Sequence, residues 1–183
     1  MKKTACQNRL SLSKQLALCA VFAALCLTST LLISIPLPNG YFNVGDVFVL
    51  LSGWCLGVWG IPAAAIGSAL ADVISGFALY APATFLIKGA TACLAFFVCK
   101  FLNKLFKKEL LRAIPRFLSA IAAETAMLVG YFLFESILYG FAGAALALAG
   151  NAIQGSLCAL CGTTLCAFLS SLSPLRKNFP ALE

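Results

Sequence analysis

The sequence predicts an all-α, polytopic membrane protein: a six-transmembrane-helix bundle with both termini cytoplasmic. Three observations predict it. Of 183 residues, 62 % are apolar and only 10 % are charged, far more apolar surface than a soluble domain of this size can bury. The apolar residues form long runs that approach, match or exceed the about 20 helical residues that cross a bilayer core. Lysine and arginine, 13 in all, gather where cytoplasmic loops would lie. Only helices and closed barrels satisfy every backbone donor and acceptor in lipid, and these runs lack the period-two alternation of barrel strands.

Taken in order, the first run is 15–35, preceded or opened by Lys2, Lys3, Arg9 and Lys14. A basic start before an apolar stretch has the look of a secretory signal, but this stretch is long and further spans follow, so it reads as a retained first helix. The connection 36–46 holds Pro36, Pro38, Asn39, Gly40, Asn43 and Gly45, which predict an ordered loop of turns. Its Tyr41 and Phe42 suit either a cover over a cavity or an interfacial anchor. Runs 47–61 and 62–80 form a hairpin about Gly57, Gly60 and Pro62, with Trp54 and Trp59 at the cytoplasmic interface. Run 83–103 leads into segment 100–116, where six cations alternate with Phe101, Leu105, Phe106, Leu110 and Leu111. That segment reads as a helix extension, a surface-lying amphipathic stretch or a solvated connector. Runs 117–139 and 143–172 complete the six, so residues 1–183 form a single integral membrane domain.

Orientation follows from the charges. Beyond the four at the start, Lys100, Lys104, Lys107, Lys108, Arg112 and Arg116 lie between the fourth and fifth runs, and Arg176 and Lys177 follow the sixth. The connections near 36–46, 80–82 and 140–143 contain no lysine or arginine, which places them outside if the termini are inside. The net charge of +7 is therefore mostly a topological signal and a contact with anionic headgroups of the lipid bilayer, with no nucleic-acid partner implied.

The nine cysteines, all but Cys6 within apolar runs, read as small packing residues. Cys158 and Cys161 form a Cys-x-x-Cys pair, but the chain has no histidine and no second pair to complete a metal site.

An ionisable group inside a membrane run needs a partner, a wet cavity or a ligand. At about 1.5 Å per residue, Asp72, Lys88, Glu135 and Asn151 all fall roughly 8–12 Å below the outer face. Tyr80, Thr84 and Tyr131 share that half, with Tyr139 and the loop residues Asn39, Tyr41 and Asn43. Glu124, Leu128, Tyr131, Glu135 and Tyr139 follow the spacing of one helical face, which should look into the bundle. The simplest pairing is an ion pair of Asp72 with Lys88 that locks the third helix to the fourth. The remaining polar residues predict a pocket open to the outside that holds a small polar, heteroaromatic molecule. The candidate substrate-binding set is Asn43, Asp46, Tyr80, Thr84, Lys88, Tyr131, Glu135, Asn151 and Gln154. Glu124 lies about 24 Å from the outer end, too deep for that pocket, and is expected to pair with Arg116 or Arg112 or to serve in proton coupling.

Close helix approach in lipid depends on small side chains. Ala17, Ala20 and Ala24 form one smooth stripe on the first helix, and residues 63–71 form another on the third. Each suits packing within the chain or docking to a partner membrane protein.

Gly45 and Asp46, the run Asp72 to Gly76, Tyr80 with Pro82 and Thr84, and Phe85 to Gly89 around Lys88 together resemble the substrate-binding S component of energy-coupling factor (ECF) vitamin transporters. The likeness is to the riboflavin-transporter-like branch and covers most of the chain, with its motif-bearing core at 41–92. It implies a membrane-embedded, high-affinity binding subunit for a water-soluble vitamin or precursor, such as riboflavin or a thiamine-precursor pyrimidine, in a bacterial plasma membrane. It also implies a transmembrane coupling subunit that meets an Ala-x-x-x-Ala stripe, matched here by Ala20 and Ala24, and two cytoplasmic ATPase subunits. The chain has no Walker motif, so ATP would be hydrolysed by those partners and no cofactor is expected in this chain. A self-sufficient secondary transporter is the alternative, although six spans without internal repeats suit it poorly. An enzyme is not expected, because no nucleophile or metal cluster lies at the cytoplasmic face.

Overall fold

A computed structural model describes residues 11–37, 40–106 and 113–172. The basic residues of 1–10, 107–112 and 173–183 that entered the orientation argument, and loop residue Asn39, lie outside the described residues. Helix α1 spans Leu12–Leu32 and buries Phe22, Cys26, Ser29 and Thr30. Their i, i+4, i+7, i+8 spacing defines one inward stripe, which is how a helix apolar on every side still chooses a face. Leu16 and Val21 remain exposed, as lipid-facing residues should.

The expected loop of turns is a small antiparallel hairpin. Strand β1, Ser34–Leu37, pairs with β2, Gly40–Asn43, in the register Ser34 to Asn43 and Ile35 to Phe42. A two-stranded ribbon has only edges, so Pro36 costs no essential ladder bond.

Helix α2, Gly45–Leu56, is only 12 residues long and buries ten of them. At 1.5 Å per residue that is about 18 Å, short of a bilayer core. Gly57, at φ 62°, ends it, a single 3-10 turn covers Gly57–Trp59, and α3, Gly60–Ile74, returns alongside. The Ser52 hydroxyl donates to the Gly60 carbonyl at 3.1 Å, which fastens the fold-back. The hairpin expected over 47–61 and 62–80 therefore exists but is shorter at both arms. Its apolar residues serve a protein interior, and hydropathy does not distinguish that from lipid contact.

Residues 75–80 turn into α4, Ala81–Leu105, whose second residue Pro82 suits a helix start. Helix α5, Ala113–Ser171, is broken at Gly140, where φ is 74° and ψ 169°. The limbs 113–139 and 141–171 correspond to the fifth and sixth predicted runs. Among the described residues, four helical stretches can cross a membrane by length and composition: Leu12–Leu32, Gly45–Ile74 counted as one, Ala81–Leu105 and Ala113–Ser171.

Leu50, Leu51 and Trp54 of α2 fill the centre, packed by Ala95, Ala120, Ala123 and Cys158, while Val49 packs with Cys26, Ala64 and Ala92. The Trp54 indole donates to the Ser119 hydroxyl at 3.0 Å, so its polar edge is satisfied. The small-residue stripe of α3 is consumed inside the chain, since Ala63, Ala64, Ala65, Gly67, Ser68 and Ala71 are all buried. A Cβ on Gly67 would lie 2.3 Å from the Ala23 carbonyl oxygen of α1. Gly67→Val should therefore force α1 from α3 and destabilise the protein by about 1–3 kcal/mol, read as a lower midpoint of thermal unfolding in detergent. Ala17, Ala20 and Ala24 instead lie exposed on α1.

Candidate substrate-binding site

One end of the bundle holds a partly open cleft. Thr30 of α1, Tyr41 and Asn43 of β2, Ser68 and Asp72 of α3, and Phe77 and Tyr80 of the following turn line one side. Thr84 and Lys88 of α4 and Tyr131, Glu135, Ala147, Asn151 and Gln154 of the two α5 limbs line the other. Every helix except α2 contributes a wall, and α2 contributes the charge behind it.

That charge is Asp46. It sits fully buried in the first turn of α2, where the unsatisfied amides of a helix N-terminus favour a carboxylate. The Lys88 ammonium approaches Asp46 Oδ1 at 2.5 Å, and the Gln154 amide donates to Oδ2 at 2.6 Å. Gln154 Oε1 in turn accepts the Asn43 backbone N–H at 2.9 Å. Asn43 Oδ1 accepts the Gly45 N–H at 2.8 Å. One polar chain thus joins β2, α2, α4 and the last limb of α5.

The expected ion pair of Asp72 with Lys88 is corrected by this geometry. Asp72 accepts the Tyr41 hydroxyl through Oδ1, and its Oδ2 has no hydrogen-bond partner. The β-hairpin brings a phenol to Asp72 and the start of α2 brings a carboxylate to Lys88, so partners are exchanged relative to the simplest pairing. Burial and the Asp72 charge push the Tyr41 phenol well above its ordinary range, which keeps it a donor.

Thr84 and Tyr131 hydroxyls meet at 2.9 Å, and Lys88 Nζ lies 5.2 Å from the Tyr131 ring centroid. Glu135 is buried, hydrogen-bonded through Tyr80, and its Oε2 has no hydrogen-bond partner. Tyr41, Phe77, Tyr80 and Phe134 form a series of ring contacts with centroids 5.2, 6.2 and 5.2 Å apart.

Eight of the nine candidates, Asn43, Tyr80, Thr84, Lys88, Tyr131, Glu135, Asn151 and Gln154, line this cleft, and Asp46 lies behind Lys88. Thr30, Ser68 and Phe77 went unnoticed in the sequence. Thr30 follows Phe22 and Cys26 on the buried stripe of α1, a signal available only once that stripe is known. Glu124 is buried with neither oxygen hydrogen-bonded. It faces a neighbouring cleft with Thr125, Asn151 and Ser156. Arg116, expected as its partner, donates instead to the Ser170 hydroxyl at 3.3 Å, and Arg112 lies outside the described residues. Of the predicted α5 face, Glu124 and Glu135 turn inward whereas Tyr139 is 47 % exposed.

A polar, aromatic-walled cleft inside an apolar bundle is a place for a solute to be held. A relative from Pyrococcus woesei, described as an uncharacterized protein in the gap 3' region, is 33 % identical over 119 residues, covering 63 % of this chain and 74 % of its own. The sequence model of the ECF-type riboflavin transporter S component matches residues 11–171, from the start of α1 to the end of α5. The chain therefore belongs to the family of S components of ECF-type riboflavin transporters, membrane subunits that bind the substrate of an importer and are not enzymes.

Proposed function

We propose that this S component captures a water-soluble vitamin or vitamin precursor with a small heterocyclic ring, such as riboflavin or a thiamine-precursor pyrimidine, from the outer side of a cell membrane. The observation that carries this reading is the cleft whose wall combines aromatic rings with hydrophilic side chains beneath one end of an otherwise apolar bundle. In α4 Thr84 and Lys88 lie near the start and Lys100 and Lys104 near the end. The positive-inside tendency then puts the cleft outside. On this reading the chain crosses the membrane six times, with α2 and α3 as a short pair of spans enclosed by the other helices and Gly140 as the last outer turn, and both termini are cytoplasmic.

The partners are a transmembrane coupling subunit, which docks on the exposed stripe of Ala17, Ala20 and Ala24, and two cytoplasmic ATPases that hydrolyse ATP on its behalf. The exposure of three small residues in register on a lipid-facing helix supports that docking. The reading is tested by denaturing release and mass spectrometry of what co-purifies with the full chain, followed by uptake of that compound in cells with and without coupling subunits. A released heterocycle whose uptake needs ATP and those subunits is the expected result. Uptake by this chain alone, lost when the proton gradient is collapsed, would overturn it.

A further inference from the structure

We propose that the groove between the two limbs of α5 is a second binding site, which takes an uncharged, membrane-dissolved amphiphile whose head both donates and accepts a hydrogen bond, an alcohol or an amide. Glu124 and Asn151 are the residues that hold that head. This site is separate from the substrate cleft and independent of what that cleft carries.

The floor and the lips of the groove differ in chemistry. Glu124 lines the floor at 5 % exposure, and neither of its carboxyl oxygens has a hydrogen-bond partner among the described residues. The carboxyl is turned to the last limb, where a glycine leaves it room: a Cβ on Gly155 would lie 3.3 Å from Oε2. Ile121 and Thr125 of one limb and Ala152 and Ser156 of the other form exposed lips. A buried carboxyl behind exposed lips is reached from the flank of the bundle.

Depth decides what can arrive from that flank. Glu124 precedes Gly140 by as many residues as Ser156 follows it, so at 1.5 Å per residue both lie about 24 Å along their limbs from that turn. That falls inside a hydrocarbon core of about 30 Å, where neither water nor a free ion is at hand. A visitor must therefore dissolve in lipid and carry no charge. Lys88, the cation of the neighbouring cleft, is already held by Asp46. An ionised carboxylate without a counter-charge is costly in such surroundings, so the groove holds the neutral acid.

A neutral carboxyl presents one donor and one acceptor side by side, and the Asn151 amide on the same wall presents both kinds as well. The lip hydroxyls are spent on their own helices, Thr125 donating to the Ile121 carbonyl at 2.7 Å and Ser156 to the Ala152 carbonyl at 2.8 Å. An alcohol or amide head meets the donors and the acceptors of the floor together. An ether meets only the donors, and a hydrocarbon meets neither.

The test uses the full chain in phosphatidylcholine vesicles, whose lipid carries no hydrogen-bond donor in its head, and dicyclohexylcarbodiimide. This apolar reagent adds to a protonated carboxyl in lipid, and the acylurea is read by peptide mass spectrometry. Glu124 should be labelled at least about tenfold faster than by a water-soluble carbodiimide at equal concentration. Dodecan-1-ol should slow that labelling about fivefold or more relative to dodecyl methyl ether at the same mole fraction in the membrane. Ser156→Leu, a change at an exposed lip that leaves the core intact, should slow it as the alcohol does, and the comparison of alcohol with ether needs no variant. Equal protection by alcohol and ether would mean apolar filling of the groove alone and would overturn the proposal. So would labelling that the alcohol leaves unchanged, equal labelling by the water-soluble reagent, or no label on Glu124.

Discussion

Lys88→Met should be the most damaging single substitution in the polar interior, lowering stability by about 3–5 kcal/mol. Asp46 is fully buried and Lys88 nearly so, at 2.5 Å from each other. Removing the ammonium leaves the carboxylate with the Gln154 amide but without a counter-charge, and the loss is that of an uncompensated buried ion rather than of a mere contact. The double variant Asp46→Asn, Lys88→Met should recover most of the stability, because no charge is then stranded and the Gln154 amide can still donate to the residue at 46. The measurement is the midpoint of thermal unfolding of the detergent-solubilised chain for wild type, both single variants and the double. If Lys88→Met unfolds with the wild type, or the double variant is no better than either single, the pair is not what joins α2 to α4.

How that pair was read in the sequence shows where sequence reasoning stops. Rise per residue placed Asp72, Lys88, Glu135 and Asn151 in one layer, and all four line one cleft. Helical rise is a property of the backbone, so a grouping by depth survives even when helix ends move by several residues. Which acid meets Lys88 depends instead on the rotation of α2 and on where the β-hairpin sends Tyr41, and neither leaves a periodic signal. The same holds for the ends of α2. Its buried residues are as apolar as lipid-facing ones, so hydropathy alone carried the run on to residue 61. The break at Gly140 was legible, since charge-free 140–143 had to be a connection, and only a glycine takes φ 74° without strain there. The missing partner of Glu124 was not legible, because Arg116 lies two helical turns away on the same limb but turns to Ser170 of the other.

Ala20→Trp should cut uptake by about tenfold or more while leaving substrate binding unchanged, which would separate the outer cleft from the proposed docking face. Ala20 is exposed on α1 beside Ala17 and Ala24, whereas Thr30 is the α1 residue on the cleft wall, ten positions and about 15 Å along the helix. An indole at a contact built for methyl groups holds two helix backbones apart, and overpacking of this kind costs about 1–3 kcal/mol at the joint, enough to cut coupled uptake about tenfold or more. Lipid accommodates the same indole at little cost, so the isolated chain should fold and bind as before. Leu86→Trp is the control, because Leu86 is 70 % exposed on α4 and away from the stripe. It should change neither binding nor uptake. Tyr131→Ala provides the opposite case: it removes a ring that lines the cleft beside Lys88, so affinity should fall and uptake should fall with it. The separation fails if Ala20→Trp transports like the wild type, or if it weakens binding as much as Tyr131→Ala does.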